Sequence, residues 1–140
     1  MARMVAESFT STWAPRMLSV LRIMVALLFL EHGTQKLLGF PPSPNPGPPL
    51  FTLYGLQGVI ELVGGILLAL GLFTRPVAFI LAGDMAVAYF MVHAPRGFFP
   101  MLNGGDAAIL YCFVFLYLFV AGGGAWSLDE VRQRGRASAA

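Results

Sequence analysis

The sequence predicts an all-α integral membrane protein, a bundle of four helices with both termini on the cytoplasmic side. Three observations predict this fold: the composition, the number of long apolar runs and the distribution of cationic residues. Of the 140 residues, 57% are hydrophobic and only 11% are charged, and the mean hydropathy is +0.73. Because one small water-soluble core cannot bury so large an apolar share, the composition favours a lipid bilayer.

Charge and cysteine content exclude several other classes of protein. Nine Lys and Arg residues are nearly balanced by seven Asp and Glu residues, and they form no basic stripe of the kind that nucleic-acid-binding proteins carry. Cys112 is the one cysteine, so the chain cannot form an internal disulfide, a CxxC redox pair or a thiolate metal site. We expect the lipid bilayer as partner and no nucleic acid.

Four apolar runs approach or reach the roughly 20 residues that a helix needs to cross the hydrocarbon. They span about 15–38, 53–73, 76–94 and 105–123, and the last two are near the lower length limit. A proline-rich outer loop over 39–52 cannot be helical inside. A capping pattern at Ser127 predicts a short cytoplasmic helix over about 128–134. The chain from 1 to 140 then forms a single membrane domain.

Orientation follows from the cations, because short loops rich in Lys and Arg stay in the cytoplasm. With four spans, one side would hold six arginines and the other side only Lys36 and Arg96. The six are Arg3, Arg16, Arg75, Arg132, Arg134 and Arg136. We therefore expect both termini in the cytoplasm and the proline-rich loop outside.

Small and polar residues mark the faces by which membrane helices contact each other. The second run carries such a face at helical spacing, and it consists of Gln57, Gly58, Glu61, Gly64 and Gly65. On the first run, polar residues cover half the circumference. Either neighbouring helices surround it on most sides, or Glu31 faces a second protomer and the protein is a homo-oligomer.

Polar residues converge in the outer half of the predicted bundle, since several lie within about 12 Å of the outer helix ends. The candidate catalytic residues are His32, Glu61 and Glu31, and the candidate ligand-binding residues are Lys36, Gln57, Asn103, Asp106 and His93. Structural alternatives stay open. Lys36 would extend to the headgroups, Glu61 would pair with His32 or Lys36, and Asn103 with Asp106 at N3 would form a capping box.

Metal and haem sites are not expected. The carboxylates Glu31, Glu61, Asp84 and Asp106 superficially resemble the set of a di-iron bundle. Such bundles use Glu-x-x-His, however, whereas Glu31 and His32 are adjacent. Haem ligation through His32 and His93 would use the whole supply of histidines.

The charges Arg22 and Asp84 lie nearest the inner half of the predicted bundle. Arg22 is roughly 8 to 10 Å and Asp84 about 12 Å from the cytoplasmic helix ends. Because an unpaired charge at that depth is costly, the sequence predicts an ion pair between the two residues.

Five short motifs occur in a recognisable order along these runs. They are Leu21-Arg22-Ile23, Glu31-His32-Gly33-Thr34-Gln35-Lys36-Leu37, Gly58-Val59-Ile60-Glu61-Leu62-Val63-Gly64-Gly65, Leu70-Gly71-Leu72-Phe73-Thr74-Arg75 and Asn103-Gly104-Gly105-Asp106. In this order and spacing they resemble the DoxX family of small bacterial membrane proteins, over about residues 16–128.

The resemblance implies a four-helix protein of the bacterial inner membrane. The family is named after a subunit of a terminal quinol oxidase and is related to the membrane part of thiosulfate:quinone oxidoreductases. Its polar pattern falls on Arg22, His32, Gly33, Lys36, Glu61, Gly65, Arg75, Asn103 and Asp106. Asp106 stands where the family commonly has Glu, which shortens that side chain by one methylene.

These observations lead to the expectation of a quinone-linked redox subunit. His32, held by Glu31 or Glu61, is a group that takes a proton near neutral pH. The chain carries no evident redox centre, so electrons would pass to or from a partner redox protein. Two alternatives stay open: a scaffold or assembly subunit of a membrane oxidoreductase complex, and a small transporter.

Overall fold

The computed structural model describes residues 2–44 and 47–139, and within these ranges it contains helices and no strand. The elements in chain order are α1 (Ala2–Leu38), α2 (Leu53–Leu70), α3 (Thr74–Ala88), a π-helix (Tyr89–His93), a 3₁₀ turn (Ala94–Arg96), α4 (Pro100–Asn103), α5 (Asp106–Ala121) and α6 (Leu128–Ala137). Met1, Asn45, Pro46 and Ala140 lie outside the described residues, so the prediction for the proline-rich loop is compared only in part.

Three helical segments are long and apolar enough to cross a membrane: Glu7–Leu38, Leu53–Leu70 and Thr74–Arg96. A further apolar helix, α5, has 16 residues and falls short of that length. The helical content and the three long apolar segments confirm the prediction of an all-helical, multi-pass membrane protein.

Several helix boundaries differ from the predicted ones. α1 begins at Ala2 rather than near Pro15, so Pro15 lies inside the helix, where it leaves one backbone hydrogen bond unmade. α2 ends at Leu70, where Gly71 takes a left-handed conformation with φ 66°. α3 begins at Thr74, two residues before Pro76.

α3 does not end as a regular helix. Tyr89–His93 forms a π-helix, in which the Ala94 backbone N–H bonds to the Tyr89 carbonyl, and a 3₁₀ turn follows. Pro95 has no backbone N–H and so cannot donate the next helical hydrogen bond, which is consistent with this change of winding.

Glycines bring α1 and α2 close together. A Cβ atom at Gly33 would lie 2.6 Å from the Leu62 backbone nitrogen, and one at Gly65 would lie 2.6 Å from the Leu30 side chain. The predicted contact face of α2 is confirmed, since Gly58, Glu61, Gly64 and Gly65 are all buried.

α3 packs mainly against α5 and also contacts α2. Phe29 and Phe115 lie in the middle of the core, with ring centroids 4.9 Å apart in an edge-to-face arrangement. Large apolar side chains on the outer faces stay exposed, as expected of helices that contact lipid.

The two ends of the molecule differ in chemistry. At the proline-loop end, residues 39–52 connect α1 to α2 and residues 94–105 connect α3 to α5. At the arginine end, residues 71–73 connect α2 to α3 and residues 122–127 connect α5 to α6. The predicted polar site lies towards the first of these ends.

Candidate functional site

Four polar side chains from three helices meet between the helices, and we call them the carboxylate–lysine cluster: Lys36, Gln57, Glu61 and Asp84. Lys36 Nζ lies 2.7 Å from Glu61 Oε1 and 3.0 Å from Gln57 Oε1. Gln57 also lies close enough to the Asp84 carboxylate to interact with it. Of the two partners considered for Glu61, the structure thus selects Lys36.

The cluster is buried but not fully satisfied. The Glu61 side chain is 3% exposed, whereas that of Lys36 is 24% exposed. Within the described part of the chain, no donor reaches Glu61 Oε2 or Asp84 Oδ2. The cluster holds two carboxylates and one ammonium, and the salt bridge joins Lys36 to Glu61. A single additional proton would therefore bring the cluster to neutrality. Unmatched buried carboxylate oxygens are costly, which makes this group able to accept a proton or a donor.

His32 lies one helical turn before Lys36 on α1 but faces α5. Its ring meets Tyr111 edge-on, with centroids 6.0 Å apart, and Phe29 at 6.4 Å. The expectation that Glu31 or Glu61 holds His32 by a hydrogen bond is wrong for the described residues. The reason is geometric, because Gly33 turns towards α2 while His32 turns towards Tyr111.

Glu31 and Asp106, two further predicted site residues, are not brought to the cluster. Glu31 is exposed on the outer surface of α1. Asp106 is also exposed, and its Oδ1 accepts a hydrogen bond from the Ala107 backbone N–H.

His93 and Asn103 form a separate polar turn. Asn103 Nδ2 donates to the Gly97 carbonyl and Asn103 Oδ1 accepts from the Gly105 N–H, both at 2.8 Å. His93 Nδ1 lies 3.2 Å from the Asn103 carbonyl oxygen. The predicted capping box is wrong, because α4 ends at Asn103, Gly105 is the N-cap of α5, and Asp106 is its first residue.

The predicted ion pair between Arg22 and Asp84 is also wrong. Arg22 is fully buried and directs its guanidinium to backbone carbonyls at the arginine end. Nε donates to Gly123 at 2.8 Å, and Nη2 donates to Trp126 at 2.6 Å. Nη1 donates to the Leu68 and Ala69 carbonyls, at 2.6 and 2.5 Å. Arg22 thus binds the negative end of the α2 dipole, whereas Asp84 lies with Gln57.

Asp129, at the same end, makes contacts that the sequence did not indicate. Ser127 begins α6 as predicted, with its Oγ accepting from the Glu130 N–H. The Asp129 carboxylate accepts from the Phe73 and Thr74 backbone N–H groups, at 2.9 and 2.8 Å, and so caps α3. Partial burial raises the pKa of Asp129, but the hydrogen bonds from Thr74 and Phe73 outweigh it and hold that pKa below its usual value.

Arg75 closes the end of α5. Its Nη1 donates to the Phe119 carbonyl at 2.9 Å and also to the Val120 carbonyl. One sequence signal could have indicated these contacts. Three consecutive glycines, 122–124, follow an apolar helix, and glycine is typical where other groups approach the backbone closely.

No group of three or more His, Cys, Asp or Glu side chains within residues 2–44 and 47–139 is arranged to hold a metal ion.

The DoxX family model matches residues 17–94, which is more than half of the chain. The chain belongs to the DoxX family. An uncharacterized protein of Haemophilus influenzae is 50% identical over 126 residues, covering 84% of this chain and 92% of that protein. An uncharacterized membrane protein of Mycobacterium tuberculosis is 32% identical over 127 residues, covering 79% and 77%. No solved structure gives a significant match.

The DoxX match covers the whole carboxylate–lysine cluster, together with Arg22 and Arg75. It ends at Ala94, before Asn103, the glycines of 122–124 and Asp129. The cluster therefore belongs to the part of the chain that defines the family membership.

Proposed function

We propose that this DoxX protein is a quinone-linked redox subunit of the bacterial inner membrane, which binds a quinone headgroup beside the carboxylate–lysine cluster. One observation carries the proposal: Lys36 Nζ lies 2.7 Å from Glu61 Oε1 among apolar helices, while Glu61 Oε2 has no donor among the described residues. A quinone oxygen needs a donor and a proton-exchanging group within an apolar site, and this cluster provides both.

The proposal includes the topology of the chain. α5, with 16 residues, is about 24 Å long, and the turns on either side extend it, so we propose that it forms a fourth span. Both termini would then lie in the cytoplasm. The concentration of Arg75, Arg132, Arg134 and Arg136 at the arginine end supports this orientation. The cluster would lie towards the periplasmic side.

The cluster residues have distinct roles in the proposed reaction. Oxidation of a quinol releases two electrons and two protons. Lys36 donates a hydrogen bond to a headgroup oxygen, and Glu61 accepts a proton at Oε2. Gln57 links this pair to Asp84, which offers a second proton acceptor at Oδ2. The electrons pass to a partner redox protein.

The test is binding of a ubiquinone or menaquinone analogue to the purified protein in detergent. We expect Glu61→Gln and Lys36→Met each to raise the Kd about tenfold or more, since each removes a charge-assisted contact. Glu130→Gln is the matched control, because it also neutralises one glutamate but lies at the arginine end, and its Kd should not change. An unchanged Kd in both cluster variants, with the fold intact, would contradict the proposal.

A second candidate is a scaffold or assembly subunit. It is favoured by the position of Lys36 and Glu61 on different helices, where they join α1 to α2 as Arg22 does at the other end. A scaffold predicts that the double variant Lys36→Met/Glu61→Leu retains both stability and assembly with its partner. Loss of quinone binding in that same stable double variant would favour the redox subunit instead.

A further inference from the structure

A groove of about 670 Å³ opens at the arginine end, between the turn after α5, the start of α3 and the exposed side of α6. Its cationic lining comes from both sides. Arg75 contributes from α3, and Arg132, Arg134 and Arg136 contribute from α6. The backbone of residues 121–125 forms its floor.

The acidic groups in this groove already have partners. Asp129 is bound to the Phe73 and Thr74 backbone N–H groups, and Glu130 Oε1 lies 2.9 Å from Arg134 Nε. Among the described residues, the guanidinium groups of Arg132 and Arg136 have no hydrogen-bonded partner, and the Arg136 carbonyl accepts from Ala139 N–H. Arg132 is instead positioned over the Phe73 ring, with Cζ 5.1 Å from the centroid. Asp129 also attracts Arg132, but four arginines line the groove against two carboxylates, and this excess of positive charge suits a phosphate.

The level of the groove along the molecule indicates where that phosphate comes from. The Ala125 N–H bonds to the Pro15 carbonyl, which places this turn beside the part of α1 that follows Trp13. Trp13 and Trp126 are 44% and 55% exposed, and exposed indole rings are typical of the boundary between acyl chains and headgroups.

α6 also carries apolar side chains that do not line the groove itself. Leu128 and Val131 remain 42% and 64% exposed on a helix that otherwise carries charges. A helix of this kind lies in the membrane interface with its apolar side chains towards the acyl chains. A lipid would use these contacts as well as the arginines, whereas a free phosphate would use the arginines alone.

From these observations we infer that the groove at the arginine end binds the phosphate headgroup of an anionic phospholipid. Arg132 and Arg136 hold the phosphate, Arg75 borders it from α3, and Leu128 and Val131 contact the acyl chains. This inference does not depend on the quinone proposal, because the groove and the carboxylate–lysine cluster lie at opposite ends of the molecule.

The experiment measures lipid retention by native mass spectrometry, with the full chain in detergent and equal amounts of phosphatidylglycerol and phosphatidylcholine. We expect preferential retention of phosphatidylglycerol. Arg132→Gln should lower the preference about fivefold, the effect of one arginine near an anionic surface. Arg96→Gln removes the same charge at the proline-loop end and should change it less than twofold. The melting temperature in neutral detergent should be equal in both variants.

Three results would overturn the inference. One is an equal retention of the two lipids by the unmodified protein. Another is an equal loss of preference in Arg132→Gln and Arg96→Gln, which would indicate general charge attraction. The third is displacement of phosphatidylglycerol by inorganic phosphate at matched concentration, which would identify the groove as a site for soluble phosphate.

Discussion

The arginine end and the proline-loop end both bury charged groups among apolar helices, yet they satisfy them differently. At the arginine end, Arg22 reaches four backbone carbonyls and Asp129 reaches two backbone N–H groups. The carboxylate–lysine cluster holds two carboxylates and one ammonium, and an oxygen of each carboxylate lacks a donor among the described residues. A buried charge that is fully matched by backbone groups stabilises a fold, whereas a partly matched one remains available for chemistry.

The largest effect is expected at Arg22. Arg22→Leu leaves two carbonyls at the end of α2 and two in the turn after α5 without their donor, so the free energy of unfolding should fall by about 3–5 kcal/mol. Thermal unfolding in detergent, followed by circular dichroism, measures it. Arg16→Leu is the control, since the Arg16 guanidinium lies over the Trp13 ring, with Cζ 5.3 Å from its centroid, and makes no hydrogen bond or salt bridge to another described side chain. Similar losses in the two variants would remove the distinction between a matched charge and a surface one.

A smaller loss is expected where α1 meets α2 near the cluster. Gly33→Ala places a methyl group against the Leu62 backbone, and overpacking of this kind lowers stability by about 1–3 kcal/mol. Gly83→Ala is the matched control, because nothing lies within 4 Å of its added Cβ. The melting temperature should fall for Gly33→Ala and stay equal or rise for Gly83→Ala. Equal melting temperatures in the two variants would mean that α1 and α2 are not held close enough for the added methyl group to meet the Leu62 backbone.

The next effect concerns the cap that α6 provides for α3. Asp129→Asn should lower stability by about 1 kcal/mol at neutral pH, as for loss of a charged cap. Because the pKa of Asp129 is lowered in the folded state, its contribution is present above the unfolded pKa, near 3.9, and is lost as the pH falls through the folded value.

The pH dependence provides the check on that cap. Melting temperatures of the unmodified protein and Asp129→Asn should differ at pH 7 and converge below about pH 4. A constant difference over this range would show that the carboxylate charge is not what caps α3.

The smallest effect has the opposite sign and lies in the carboxylate–lysine cluster. Asp84→Asn keeps an oxygen for Gln57 and leaves Lys36 and Glu61 as a one-to-one pair, so stability should rise by about 0.5–1 kcal/mol. Asp106→Asn, on an exposed aspartate, should not change the melting temperature. A clear loss of stability in Asp84→Asn would contradict the view that this cluster is only partly matched and would favour the scaffold.

Sequence patterns predicted those features that depend on side-chain spacing. The buried face of α2 follows from residues at i, i+4 and i+7, and Lys36 was one of two partners expected for Glu61. The N-cap at Ser127 has a local signature, and the structure confirms it. The α2 face and the Ser127 cap are short-range relations, for which helical geometry alone decides which side chains share a face. The Lys36–Glu61 pair instead joins two helices.

The partners of Arg22 and Asp129 escaped prediction for a physical reason. Both residues bind backbone groups of distant segments, and a carbonyl or an N–H carries no residue identity in a sequence. The ion pair predicted between Asp84 and Arg22 rests on the depth of each residue in its helix, but depth does not specify which neighbouring helix a residue faces. The predicted roles of His32, Glu31, Asn103, Asp106 and His93 in ligand chemistry stay predictions.

The π-helix at Tyr89–His93 bears on how the chain tolerates changes in length. Its hydrogen bond from Ala94 to Tyr89 encloses one residue more than an α-helical turn does. Removing one residue from this π-helix would convert it to regular α-helix. Asp84 and the turn around Asn103 would then keep nearly the same orientation. Deletion of the single residue Ala78, within α3, would instead rotate the rest of α3 by about 100° against α5. Insertions and deletions in relatives should therefore collect at this turn and be rare within α3 itself.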